Sequence, residues 1–106
     1  LYKCMASSKD QDTLNLFCLR GTFNEQQLLD FGDIIIDSNI VYSGEFKLDM
    51  PWGYGTMFEN GRVQVKGSFA RGAPSGQATY YMPSGAIRYD GEWAQGQQHG
   101  EGTMYH

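Results

Sequence analysis

The chain reads as an all-β protein: stacked β-hairpin repeats forming one elongated, twisted antiparallel sheet. Three observations predict this. Gly44-Glu45-Phe46, Gly67-Ser68-Phe69 and Gly91-Glu92-Trp93 recur 23 and then 24 residues apart, and a fixed period of that size marks a repeat architecture. Within each block a second glycine follows the first by nine residues (Gly53, Gly76, Gly100) and another small residue by eleven (Gly55, Ala78, Gly102). Around the first glycines apolar and polar residues alternate. Tyr42, Gly44 and Phe46 oppose Ser43, Glu45 and Lys47; Val65, Gly67 and Phe69 oppose Lys66, Ser68 and Ala70; Tyr89, Gly91 and Trp93 oppose Asp90, Glu92 and Ala94. Period-two alternation with one wet face is the pattern of a strand covered on one side.

Each block therefore supplies a hairpin. The stretches Asp49 to Gly53, Gly72 to Gly76 and Gly96 to Gly100 carry the Gly, Pro and Asp chemistry of a reversal. Second strands follow at Tyr54 to Phe58, Gln77 to Tyr81 and Glu101 to Tyr105. Asn60-Gly61 and Ser84-Gly85 then turn the chain into the next hairpin. Glycine inside a strand packs nothing, so its recurrence implies close approach of a neighbouring backbone or ring.

The full copies span 42–64 and 65–88, with an incomplete one at 89–106. A degenerate copy is expected over 19–41, because Gly21-Thr22-Phe23 lies 23 residues before Gly44-Glu45-Phe46 and Gly32 lies 23 before Gly55. The competing reading of Asn24 to Phe31 is a short helix capped by Asn24. Residues 1–18 read as an N-terminal tail, polar and unpatterned from Lys3 to Thr13, with Leu14 to Leu19 as a candidate capping strand. The last copy stops at His106 before a closing turn, so an edge open to further hairpins or to a partner is expected.

Composition narrows the function classes. Twelve of the fourteen glycines lie between Gly44 and Gly102, so they belong to the repeats and not to a linker. The net charge is −4, and Lys47, Arg62, Lys66, Arg71 and Arg88 are spaced singly among acids. Nucleic acid is not expected as a partner, since its binding needs clustered cations. Membrane contact is not favoured, for the same reason. Cys4 and Cys18 form neither a disulfide framework nor a metal-spaced cluster. Apolar runs such as Leu16 to Leu19 fall far short of the roughly 18 residues of a membrane span.

These residues resemble the MORN (membrane occupation and recognition nexus) repeat, which runs aromatic-x-Gly-x-aromatic, a glycine turn, a Gly-x-Gly step and another glycine turn. Tyr42, Gly44, Phe46, Gly53, Gly55 and Gly61 match the first copy. Val65, Gly67, Phe69, Gly72, Gly76 and Gly85 match the second, with Ala78 replacing one glycine. Tyr89, Gly91, Trp93, Gly96, His99, Gly100 and Gly102 match the third. Asp49 departs from the pattern by replacing the first copy's turn glycine. The resemblance implies a non-catalytic scaffold in a eukaryotic cell. With neither a membrane-length apolar run nor a charged-then-apolar leader, the expected location is cytoplasmic, including association with cytoskeleton or membrane. It also implies a second class, the regulatory or targeting portion of a larger enzyme of the lipid kinase or SET methyltransferase type, with phospholipid contact. No cofactor or metal is expected.

Candidate chemistry is sparse. His99 reads as a turn residue, and Ser75 and Ser84 lie in Gly/Pro turns without a nucleophile elbow. Gly53-Tyr54-Gly55 lacks the helix and lysine of a phosphate loop. Glu45 and Glu92 occupy equivalent positions and place two carboxylates on one face, as a solvated strand face in preference to an acid–base pair. Phe46, Phe69 and Trp93 read as core. The second strands carry large side chains on both faces, Met57, Tyr80 and Met104 on one, Phe58, Tyr81 and Tyr105 on the other. A single-layer sheet cannot bury both sets. Aromatic and methionine side chains are enriched at interface centres, so Phe58, Tyr81 and Tyr105, with Glu45 and Glu92, are the candidate partner-binding residues. The expected partner is a protein helix or peptide, or a second copy of the chain.

Overall fold

The structure, a computed structural model, describes residues 2–10 and 13–105. Nine strands make up their regular structure: β1 Tyr2–Asp10, β2 Thr13–Phe23, β3 Leu29–Ile36, β4 Asn39–Lys47, β5 Met50–Glu59, β6 Arg62–Ala70, β7 Ala73–Tyr81, β8 Ile87–Ala94 and β9 Gln97–Met104. They form one sheet in chain order, each neighbouring pair antiparallel. The expected all-β repeat sheet is therefore the fold. Its extents are 39 × 34 × 22 Å and its radius of gyration 14.7 Å, against about 13 Å for a compact chain of this length.

The meander follows from short reversals. Asp37-Ser38, Leu48-Asp49, Asn60-Gly61, Arg71-Gly72 and Gln95-Gly96 all have positive φ at both residues, the mirror-image turn whose twist matches that of the strands. Asn60-Gly61 lies where the sequence predicts it. The tips of the other full hairpins meet only the first residue of each expected stretch: they fall at Leu48-Asp49, Arg71-Gly72 and Gln95-Gly96, while Gly53, Gly76 and Gly100 lie inside β5, β7 and β9. His99 and Ser75 are accordingly strand residues. Leu48-Asp49 holds a conformation costly for non-glycine residues because Asp49 is tied down. Its Oδ1 accepts the Leu29 amide at 2.7 Å, and its Oδ2 pairs with the Lys3 ammonium. Successive tips are bonded together, the Gly72 amide donating to Pro51 O at 3.0 Å and the Gly96 amide to Pro74 O at 2.9 Å.

The helix considered for Asn24 to Phe31 is absent. Asn24 Oδ1 instead accepts the Gln26 and Leu28 amides at 2.9 and 3.1 Å, closing a loop between β2 and β3. The expected tail over Lys3 to Thr13 is also corrected: Tyr2–Asp10 is strand β1, paired along β2. Cys4 and Cys18 face each other in that pairing and form a disulfide, contrary to the sequence reading. The spacing of two lone cysteines carries no sign of strand register, which is what brings them together.

A row of small residues crosses eight strands. Gly21 pairs with Gly32, then Gly44, Gly55, Gly67, Ala78, Gly91 and Gly102 follow in direct cross-strand register. Rings lie down on this row. A side chain at Gly55 would meet the Tyr42 ring, and one at Gly102 the Tyr89 ring. The same register places Leu19, Gly21 and Phe23 as Tyr42, Gly44 and Phe46 are placed. Where Val65 stands in the tyrosine position, no ring covers the row and Ala78 fills the space, buried at 3% exposure. That explains the one departure from glycine.

The rings cover one another as well. Tyr42 meets Phe46 of its own hairpin and Phe69 of the next edge-to-face at 5.2 and 5.1 Å. Trp93 meets Tyr89 and Tyr80 at 5.7 and 6.3 Å. Phe46 and Phe69 are buried and Trp93 is packed against the buried cluster, as expected of core residues. The Tyr42 and Tyr89 hydroxyls donate to Glu45 O and Glu92 O at 2.8 and 3.0 Å, and Trp93 Nε1 donates to Ala78 O at 3.0 Å. A single layer thus forms a core on one face, the inner face, without a second sheet.

Burial, with a smaller contribution from the Glu45 charge, pushes the Tyr42 hydroxyl up to about 12. The folded chain therefore keeps a proton that the unfolded chain releases above its ordinary value of 10.0, and stability falls as pH rises through that window. Urea midpoints of the wild type should drop more than those of Tyr42→Phe between about pH 9 and about pH 11.5. Parallel pH profiles would contradict it.

Candidate functional site: the outer face of the sheet

The opposite, outer face carries two rows of side chains, and irregularities in the strand pairing create both. In the first, one strand of each pair carries an extra residue. Met57 pairs with Val65 but Phe58 with Val63, leaving Gln64 bulged; Tyr80 pairs with Tyr89 but Tyr81 with Ile87, leaving Arg88 bulged; Ile34 pairs with Tyr42 but Ile35 with Ile40, leaving Val41 bulged. Strict alternation would put Val63 beside Val65 on the inner face. The bulge turns it outward, so Phe58 gains Val63, and Tyr81 gains Ile87, as an aliphatic neighbour on the adjoining strand.

The result is an apolar row crossing β3 to β9: Ile35, Ile40, Phe58, Val63, Tyr81, Ile87, then Tyr105 just past the end of β9, whose amide donates to Arg88 O at 2.8 Å. Ile35, Phe58 and Tyr81 are half-buried, whereas Ile40, Val63, Ile87 and Tyr105 are 37–43% exposed. A depression between the Asn60-Gly61 turn and the Met82–Ala86 loop is lined by Val63, Lys66, Tyr81 and Pro83. Arg62 bridges those two reversals, its Nη1 donating to Pro83 O at 2.8 Å. A second depression lies where Cys18 and Arg20 meet Ile35 and Ile40. There Arg20 is ion-paired with Asp33 at 2.6 Å, and that hydrogen bond holds its guanidinium above its ordinary value.

The second row lies on the other side of the strands' polar midsections. Gly44 pairs with Gly55 and Phe46 with Pro51, so Glu45 alone faces Trp52, Gly53 and Tyr54; Glu92 likewise faces His99, Gly100 and Glu101. Such an insertion leaves backbone donors unpaired. Glu45 Oε2 accepts the Tyr54 amide at 2.5 Å and Glu92 Oε2 the Glu101 amide at 3.2 Å. Positions 53 and 100 favour glycine because the backbones of Gly53 and Gly100 sit at φ +101° and +64°, and a Cβ at either would also push the capping carboxylate of Glu45 or Glu92 off its amide.

The five residues expected to bind a partner therefore fall into two groups. Phe58, Tyr81 and Tyr105 share the apolar row, while Glu45 and Glu92 sit in the other, where each caps a bulge of its own hairpin. Met57 and Tyr80 pack against the inner core, which leaves the Phe58 set as the outward one. Ile40, Val63 and Ile87 belong to the apolar row but escape the sequence reading. Each stands two residues before Tyr42, Val65 or Tyr89, a recurrence that was legible, although its meaning depends on the bulge between. Among the described residues, no group of three or more His, Cys, Asp and Glu side chains is arranged to hold a metal ion.

Stacked hairpins with rings lying on a glycine row define a β-repeat protein. The family model for the MORN repeat matches at residues 42–61, 66–87 and 89–106, more than half of the chain, and the chain belongs to the MORN repeat family. No curated protein matches the sequence.

Proposed function

We propose that the chain is a non-catalytic scaffold segment that binds a protein partner, an amphipathic helix laid across the strands, through the apolar row. One observation carries this reading: the bulges bring Ile40, Val63 and Ile87 to the same outer face as Phe58, Tyr81 and Tyr105, in a continuous row that no second layer covers among the described residues. Extended apolar surface of this kind marks an interaction site, and a helix in a groove is a recurrent way to fill one. Six strand spacings of about 4.8 Å separate β3 from β9, roughly 29 Å, the length of a helix of about 19 residues. The cytoplasmic setting proposed for such a scaffold requires a reduced Cys4–Cys18 pair, since glutathione keeps thiols reduced there; the redox state of the pair in its native cell tests that setting.

Truncating Tyr81 and Tyr105 together to alanine should weaken association roughly tenfold or more and leave the melting temperature nearly unchanged. Sedimentation velocity of the chain over a concentration series reads self-association, and titration of an isolated partner reads the helix interface. Unchanged association in a folded double variant would eliminate the apolar row as the binding surface.

A further inference from the structure

We propose that the second outer row is a docking site for an arginine-bearing peptide segment, centred on Phe31, Glu45 and Tyr54. The proposal is independent of the apolar row: Phe31 precedes Ile35 by four residues and Tyr54 precedes Phe58 by four, about 13 Å along a strand.

Three observations converge on a guanidinium. First, Phe31 and Tyr54 are each 58% exposed, in a chain that covers Tyr42, Phe46, Phe69 and Tyr89 almost completely. Second, register brings these two aromatic residues to the strands on either side of Glu45. Phe31 is the direct cross-strand partner of Glu45 on β4, and on the other side Tyr54 donates its amide to the same carboxylate. Third, that carboxylate has no cation. The ion pairs among the described residues are Lys3–Asp49 and Arg20–Asp33, and the Tyr54 amide occupies one of the two Glu45 oxygens. The other oxygen makes no hydrogen bond among the described residues, and the residues flanking Glu45 on the two neighbouring strands are exposed aromatics.

An arginine fits this arrangement better than a lysine does. Its planar guanidinium bonds a carboxylate and stacks on an aromatic face with the same group. The hydrogen bond donated by the Tyr54 amide holds Glu45 in place, so little side-chain freedom is lost on binding. Further along the row Glu92 and Glu101 stand on β8 and β9, offering a second cation a place on the same segment.

The test uses the whole chain and a capped five-residue peptide of alternating glycine and arginine, followed by nuclear magnetic resonance titration. The arginine peptide should bind, its neutral citrulline analogue roughly tenfold more weakly, and its lysine analogue about threefold more weakly. Glu45→Gln retains an acceptor for the Tyr54 amide and removes the charge, so it should weaken arginine binding roughly tenfold with an unchanged melting temperature. Phe31→Leu and Tyr54→Leu should each weaken it about threefold. Equal binding of the citrulline peptide would overturn the proposal. So would arginine and lysine binding that is alike and indifferent to both leucine variants, since that is charge attraction alone, or no binding at millimolar peptide. Loss of this site with Tyr81 and Tyr105 association intact leaves the apolar row standing, and the reverse result leaves the arginine site standing.

Discussion

Gly55→Val should destabilise the chain by about 3 kcal/mol or more, the upper end of overpacking costs. A Cβ at Gly55 would fall on the Tyr42 ring, 2.6 Å from Cε1 and closer to Oη and Cζ. Tyr42 is 1% exposed and cannot tilt away without losing its bond to Glu45 O and its contacts with Phe46 and Phe69. Gly91→Val should have a comparable effect through backbone, since its Cβ would lie 2.7 Å from Glu101 O and closer to the Gly102 Cα. The neighbouring Glu92→Val is the informative control. Read as a solvated strand residue it would cost at most about 0.5 kcal/mol; as the cap of the Glu101 amide it should cost about 1–2 kcal/mol. Urea midpoints ordered wild type, Glu92→Val, Gly91→Val would support both assignments. A Gly91→Val midpoint equal to that of Glu92→Val would refute the face assignment.

Reducing the Cys4–Cys18 bond should remove about 3 kcal/mol from the stability of the β1–β2 hairpin, the chain-entropy value for a loop of this length. The bond joins residues 14 apart and fastens β1, the sheet's first strand, to a single neighbour. Once it opens, β1 is held by its ladder and by Lys3, which reaches Gln27 O at 2.9 Å and Asp49 across the inner face. The effect should therefore be local. Amide exchange in β1 should accelerate on reduction or in Cys4→Ser, while β5 to β7 stay protected, as expected where stability varies along a structure. Unaltered β1 exchange in the reduced chain would show that the bond contributes nothing to its retention.

Much of this architecture is legible in the sequence. Spacing among Gly44, Gly67 and Gly91 states the period, and alternation around them states which residues go inward, because side chains in a strand change faces at every residue. Tyr42, Phe46, Val65, Phe69 and Tyr89 are buried for that reason alone. The separation of Met57 and Tyr80 from Phe58 and Tyr81 was equally visible. These are local properties, set within one strand and one turn.

What needed the folded chain is whatever depends on how one strand registers against another. Gln64 and Arg88 bulge, and so Val63 and Ile87 face outward beside Phe58 and Tyr81, although a uniform strand would send them in. Three residues oppose Glu45, which converts a carboxylate from an apparently solvated surface group into a backbone cap on the strand between Phe31 and Tyr54. Cys4 meets Cys18 only because β1 pairs with β2, in a stretch whose composition suggested a tail. One inserted residue shifts every later side chain to the other face, and that insertion is decided by the neighbouring strand's hydrogen bonds, which no period within a single strand encodes.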